Sequence, residues 1–174
     1  MAVVQPANVS GFGNHLCNLG RMDRPPRPET ERSGLEYVNL GSTKVSDLSP
    51  LSGNSSILKL YLGATKITDL SALTNHSVLE ELDISFTNVS DISPLATIGS
   101  LKTLRISGSR VVDISALAGH ASLENLYIED SELSDILPLA SVKSLKLLYL
   151  GSEVLEEDIV KLETQLPNCI ISRR

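Results

Sequence analysis

The chain has 174 residues, enough for one domain of ordinary size, and a formal net charge of −6. That balance disfavours a nucleic-acid or anionic-membrane binder, which needs a basic footprint. Its two cysteines exclude a disulfide-framed mini-domain, and no apolar run approaches the ~20 residues of a membrane span.

Residues 1–34 read as an N-terminal arm and degenerate cap. His15–Gly20 (HLCNLG) resembles a worn copy of Tyr37–Gly41 (YVNLG), with Cys17 in the place of Val38 and Leu19 in that of Leu40. The run Arg24-Pro25-Pro26-Arg27-Pro28 cannot be helical, because proline removes donors and restricts the residue before it. It reads as a stiff connector; the alternative is a polyproline ligand, since Pro25 and Pro28 satisfy PxxP. Residues 1–20 lack a basic start followed by an apolar core, so no signal peptide is visible. With so few cysteines, the expectation is a cytoplasmic protein.

From Leu35 to 155 the chain repeats itself. Leu40, Leu62, Ile84, Ile106, Ile128 and Leu150 follow one another at intervals of 22 residues, a period that signifies a solenoid. Numbering the slots of each repeat from Leu35, slots one, four and six are apolar in all six copies, from Leu35/Val38/Leu40 to Leu145/Leu148/Leu150. Alternation between slots four and six is the strand period, so each copy supplies one short strand with one face inward. A lone strand cannot bury that face; stacked copies can. Slot nine is Thr43, Thr65, Thr87, Ser109 and Ser131, a buried hydroxyl placed to bond the backbone of the turn leaving the strand. Slot eleven is apolar from Val45 to Leu155.

The return path starts at slot thirteen, where Asp47, Asp69, Asp91, Asp113 and Asp135 suit Asx turns. Ser49 and Ser93 read as N-caps, with Pro50 and Pro94 at the first helical position. Leucine follows at slot seventeen in each of these copies, from Leu51 to Leu139. Few residues remain before the next strand, which predicts 3₁₀ turns or extended chain there.

These motifs, LxxLxL followed by Thr or Ser and then DISPL as at Asp91–Leu95, resemble the leucine-rich repeat. The 22-residue length and the DISPL segment look like the subclass of bacterial internalins and phosphatase-regulatory repeats. Slot nine departs from that subclass, which usually carries Asn there; Thr resembles repeats of some planctomycete-type and trypanosomatid proteins. The resemblance covers Leu35 to the end of the chain. It implies an α/β solenoid: a right-handed superhelix with a parallel β-sheet on its concave face, short convex turns and a C-terminal cap. It says little about function, because this fold serves many unrelated partners.

Residues 156–174 change character. Glu156, Glu157 and Asp158 suit a helix N-terminus, and Ile159, Leu162 and Leu166 follow at helical spacing. Leu166-x-x-Cys169-x-Ile171 then reads as a final strand with Cys169 in slot four. Cys17 and Cys169, at opposite ends of the stack, are about seven strand spacings or roughly 34 Å apart. A disulfide within one monomer is excluded at that distance, and both read as small core residues.

Slots three, five, seven and eight point away from the core. Tyr37 is at slot three, Tyr61, Tyr127 and Tyr149 are at slot five, and Phe86 is at slot eight, so every aromatic except Phe12 faces outward on one side. Arg105 lies in the slot-five column and Leu147 at slot three beside Tyr149. Tyrosine and arginine are enriched at interface hot spots, and tyrosines on strands also serve simply to cover the ladder. The expected anchors are Arg105, Tyr127, Leu147 and Tyr149 as one cluster and Tyr37, Tyr61 and Phe86 as a second. Slot two alternates in sign from Glu80 through Lys102 and Glu124 to Lys146, which reads as self-neutralising surface, and Asp83 is expected to pair with Arg105. Slot ten runs from Lys44, Lys66 and Arg110 to Glu132, basic early and acidic late.

No catalytic constellation stands out. His76 and His120 share slot twenty and read as surface histidines without metal-ligand company, and no phosphate loop, zinc spacing or dinucleotide motif appears. Asn8, Asn54, Asn75 and Asn88 begin N-x-Ser sequons, which matter only in a eukaryotic secreted protein. The expectation is a monomeric, non-enzymatic protein-interaction module without cofactor, metal, nucleic-acid or membrane partner. The alternatives are a regulatory subunit docking on an enzyme such as a phosphatase, and a surface adhesion or spacer module.

Overall fold

The computed structural model describes residues 34–133 and 135–173. The degenerate strand at His15–Gly20, the proline run and Cys17 lie outside the described residues.

Seven strands form one parallel sheet in chain order. They are β1 (Tyr37–Asn39), β2 (Lys59–Tyr61), β3 (Glu81–Asp83), β4 (Thr103–Arg105), β5 (Asn125–Ile128), β6 (Leu147–Leu150) and β7 (Ile170–Arg173). Up to β6 each residue sits opposite the one a full repeat further on: Val38 faces Leu60, Leu60 faces Leu82, Leu82 faces Leu104. Equal repeat length is what keeps this register, so the inward leucines form continuous rows. The ladder runs on past each strand. The Ser42, Ala64, Phe86 and Gly108 N–H groups donate to the slot-seven carbonyls of the next copy, at 2.8 to 2.9 Å. These slot-eight residues, with Asp130, all have φ between +51° and +63°. Only one of the five is glycine; for the others this conformation costs about 1–2 kcal/mol each, and the ladder bonds oppose that cost.

Slot nine closes the turn after each strand. The Thr43, Thr65, Thr87 and Ser131 hydroxyls donate to the Leu40, Leu62, Ile84 and Ile128 carbonyls at 2.6, 2.6, 2.7 and 2.9 Å. Ser109 instead accepts from the Val111 N–H at 3.5 Å.

The opposite layer consists of 3₁₀ segments at Ser49–Leu51, Ser71–Leu73, Ser93–Thr97, Ser115–Leu117 and Leu137–Ser141. Their starts differ from expectation. Ser49 and Ser93 are the first residues inside the segments, the N-caps are Leu48 and Ile92, and neither cap makes a side-chain bond. The Asx turn does the capping: Asp47, Asp69, Asp91, Asp113 and Asp135 accept the N–H two residues on at 2.7 to 2.9 Å. The Ser49 and Ser71 hydroxyls also donate to these carboxylates, at 2.9 Å each. Those bonds, the backbone one foremost, hold Asp47, Asp69 and Asp113 below the ordinary aspartate pKa.

The core between the two layers is one aliphatic cluster running from Val38 to Leu166, and among the described residues no tyrosine or phenylalanine is buried in it. His76 and His120 belong to this interior. His76 is fully buried and His120 is 7% exposed, where surface positions were expected. Slot twenty turns inward: Ile98 and Val142 fill the same position in neighbouring copies and are also buried. His120 Nε2 lies 2.9 Å from the Ile98 carbonyl, whereas His76 has no close hydrogen-bond partner on either ring nitrogen. Burial therefore lowers the His76 pKa, against a weaker upward pull from the Leu73 and Leu51 backbone.

At the C-terminal end the helix α1 (Glu156–Gln165) begins with Glu156, Glu157 and Asp158 and buries Ile159 and Leu162. Two details depart from the repeat. The chain enters the helix directly after Leu155, so Leu155 is exposed and Val154 takes the inward place. The helical path also uses more chain than a 3₁₀ turn. Leu148 consequently faces Ile171, not Cys169. Cys169 packs half-buried beside the core, and burial pushes its thiol up to about 11. Arg173 locks this end: it donates to Glu156 at 2.6 Å and to the Ser152 and Val154 carbonyls at 2.9 and 3.0 Å.

Candidate recognition face

The open face of the sheet is built by slots three, five, seven and eight. Register places Tyr127 opposite Tyr149 on β5 and β6. Their rings stack with centroids 5.1 Å apart and planes 11° from parallel. The Arg105 guanidinium caps the stack, 4.8 Å from the Tyr127 centroid. Leu147 lies half-buried on β6, with Ile170 opposite it on β7, 68% exposed. At the other end Tyr37 and Tyr61 meet at 5.3 Å and a 46° tilt.

Glu81 joins the two ends and was not singled out from sequence. Its carboxylate accepts from Arg105 at 2.7 Å and from Lys59 at 3.2 Å, and it also takes the Tyr61 hydroxyl. Burial works to raise its pKa, but these donors outweigh burial and hold it below the ordinary glutamate value. Burial, and then the Glu81 bond, push the Tyr61 phenol well above its usual range. Asp83, the expected partner of Arg105, is committed elsewhere: it accepts the Ser85 N–H at 2.9 Å in a local turn. The signal for Glu81 was its slot-three position, directly opposite Lys59 on β2 and one diagonal step from Arg105 on β4.

Phe86 falls apart from Tyr37 and Tyr61. Its left-handed backbone throws the ring toward β4, where it lies over Gly108; a Cβ on Gly108 would come within 2.5 Å of the ring. Phe86 is 62% exposed and shares a cavity of about 670 Å³ with Arg105 and Tyr127. The expected second cluster is thus a Tyr37–Tyr61 pair, and Phe86 sits at the mouth of the first. Slot two pairs as the sign alternation implied, Lys102 with Glu80 at 2.9 Å and Lys146 with Glu124 at 2.8 Å. Among the described residues no group of His, Cys, Asp and Glu is arranged to hold a metal ion, and no helix is long and apolar enough to cross a membrane.

The sequential parallel sheet, 3₁₀ return segments and capping helix define a leucine-rich-repeat solenoid. The chain is a leucine-rich repeat protein, and its repeats resemble those of internalins. The crystal structure of internalin C2 from Listeria monocytogenes aligns with a TM-score of 0.72 and 31% identity over 78% of this chain and 60% of that one. Internalin F of the same organism aligns at 0.58 and 32% over 76% of this chain and 46% of that one. The LRIM1/APL1C complex contains a similar chain, at 0.61 and 22% over 70% of this chain and 24% of that one. The chain thus spans about half to three-fifths of the length of the internalins it matches. No family model and no curated protein sequence matches it.

Proposed function

We propose that the protein is a non-catalytic recognition module that binds a protein partner on the concave face of its sheet. One observation carries the reading. Among the described residues no tyrosine or phenylalanine lies in the core; they gather on the open face, and the Arg105–Tyr127–Tyr149 stack presents the residue types that dominate interface energetics. Leu147 and Ile170 add apolar surface beside the stack, and Tyr37 and Tyr61 offer a second contact at the other end. A solved relative of the same fold is itself described as a protein complex, LRIM1/APL1C. The reading places the protein in the cytoplasm as a monomer.

The test is cross-linked capture from source lysate by three chains: the wild type, Tyr127→Ala/Tyr149→Ala, and the return-side control Leu137→Ala. The reading expects a partner retained by the wild type and the control and lost by the tyrosine variant, with all three folded by circular dichroism. A partner retained by the tyrosine variant and lost by the control would place recognition on the 3₁₀ side.

A further inference from the structure

The open face is not electrically uniform, and its asymmetry selects a partner chemistry. The cavity of about 670 Å³ has Phe86 and Tyr127 as its apolar walls. Asp130, Glu132 and Glu153, all exposed, stand at its rim. Among the described residues the one cation lining it is Arg105, whose charge is answered by Glu81 at 2.7 Å and whose flat face is covered by Tyr127. Arg173, nearby at the C-terminal end, is likewise held by Glu156 at 2.6 Å. Arg110 precedes Glu132 in the slot-ten column and stays exposed. At the far end of that column, by β1 and β2, Lys44 and Lys66 make the rim basic.

An aromatic wall with carboxylates at its lip suits a cation with an apolar stem. The exposed Phe86 ring attracts the charge through its π face, the carboxylates complete its coordination, and the stem's methylenes run along the edge of Tyr127, whose two faces Arg105 and Tyr149 already cover. Building on the recognition reading above, we infer that the cavity takes a lysine or arginine side chain of the partner protein, inserted between Phe86 and Tyr127 beneath Asp130, Glu132 and Glu153. The basic rim at Lys44 and Lys66 repels the same chemistry, so a basic segment is directed to one end of the face. Gly108 is part of this design, because the Phe86 ring occupies the space a side chain there would need.

The experiment pans a phage-displayed library of random twelve-residue peptides on the wild-type protein. Selected peptides are then measured by fluorescence anisotropy against Glu132→Gln/Glu153→Gln, Lys44→Gln/Lys66→Gln and Tyr149→Ala. The inference expects selected sequences enriched in Arg and Lys. Their affinity should fall about three- to tenfold on the glutamine substitutions at Glu132 and Glu153, as for exposed charge pairs. It should also fall with added salt and be unchanged or improved by Lys44→Gln/Lys66→Gln. Peptides that need Tyr149 but show no basic enrichment, or ignore Glu132→Gln/Glu153→Gln, would overturn the inference and leave concave recognition standing. Peptides that bind every variant equally, or a library that yields no binder, would count against both.

Discussion

Arg105 donates to Glu81 at 2.7 Å although the strand register sets it opposite Asp83. The diagonal pairing follows from Asp83 being spent on the Ser85 N–H, and it gives the open face a single polar hinge between its two aromatic ends. Glu81→Ala should strand three donors at once, Arg105, Lys59 and Tyr61. Lys59 is exposed and water can serve it, but loss of the acceptor to half-buried Arg105 and Tyr61 costs about 1–3 kcal/mol, read as a fall in urea midpoint. The same hinge sets an acid dependence. The folded pKa of Glu81 is depressed, so its contribution is fully present above its unfolded value and is lost as pH falls through the folded one. Glu81→Gln should flatten that part of the stability profile below about pH 4.5.

His76 should make a second, separate acid transition at higher pH. Its folded pKa is also depressed, here by burial of a ring with no close partner. Its neutral form is therefore compatible with the fold above about pH 6.5, and stability falls as pH drops below that value, because the unfolded chain takes up the proton first. Ile98 fills the same slot in the next repeat, so His76→Ile should fold and should remove this dependence between pH 7 and 5. Urea titrations of the two proteins at pH 7 and 5 read the difference.

The slot-nine hydroxyl can be tested at Thr87, buried and bonded to the Ile84 carbonyl at 2.7 Å. Thr87→Val preserves shape but orphans that carbonyl, at about 1–3 kcal/mol. Thr87→Ser keeps the bond, as Ser131 does in its own repeat, and should cost well under half as much. A larger loss for Thr87→Ser than for Thr87→Val in thermal unfolding would show that the methyl, not the hydroxyl, is what matters.

Gly108→Ala should act through Phe86. The new Cβ must displace a ring 2.5 Å away and also adopt a φ of +63°. In a Phe86→Ala background only the backbone part remains, about 1–2 kcal/mol. A double-mutant cycle should therefore show coupling of about 0.5 kcal/mol or more, whereas independent sites would add.

Much of the fold was legible because the period is unbroken. Residues such as Leu60, Leu82 and Leu104 recur at one slot, and a solenoid turns sequence spacing directly into neighbourhood. The return side was harder to read. The inward turn of slot twenty is marked by Ile98 and Val142 but disguised by His76 and His120, whose polar rings suggest a surface. The end of the stack failed for a geometric reason: α1 consumes more chain than a 3₁₀ segment, so counting residues misplaced Cys169. On the open face, slots placed the described aromatics on the correct side, yet the groupings depended on rotamers and backbone. Phe86 was separated from Tyr61 by a positive φ, and Glu81 emerged only once side chains could reach diagonally. The tyrosines are also half-buried in their stacks, so truncating them costs stability as well as contacts.

The most direct test of concave recognition is hydroxyl-radical footprinting of the protein with and without the captured partner. The account predicts reduced oxidation at Phe86, Tyr127, Leu147 and Tyr149, with Leu137 and Val160 on the other side unchanged. Protection of Leu137 and Val160 with the tyrosines oxidised at their free rate would contradict it.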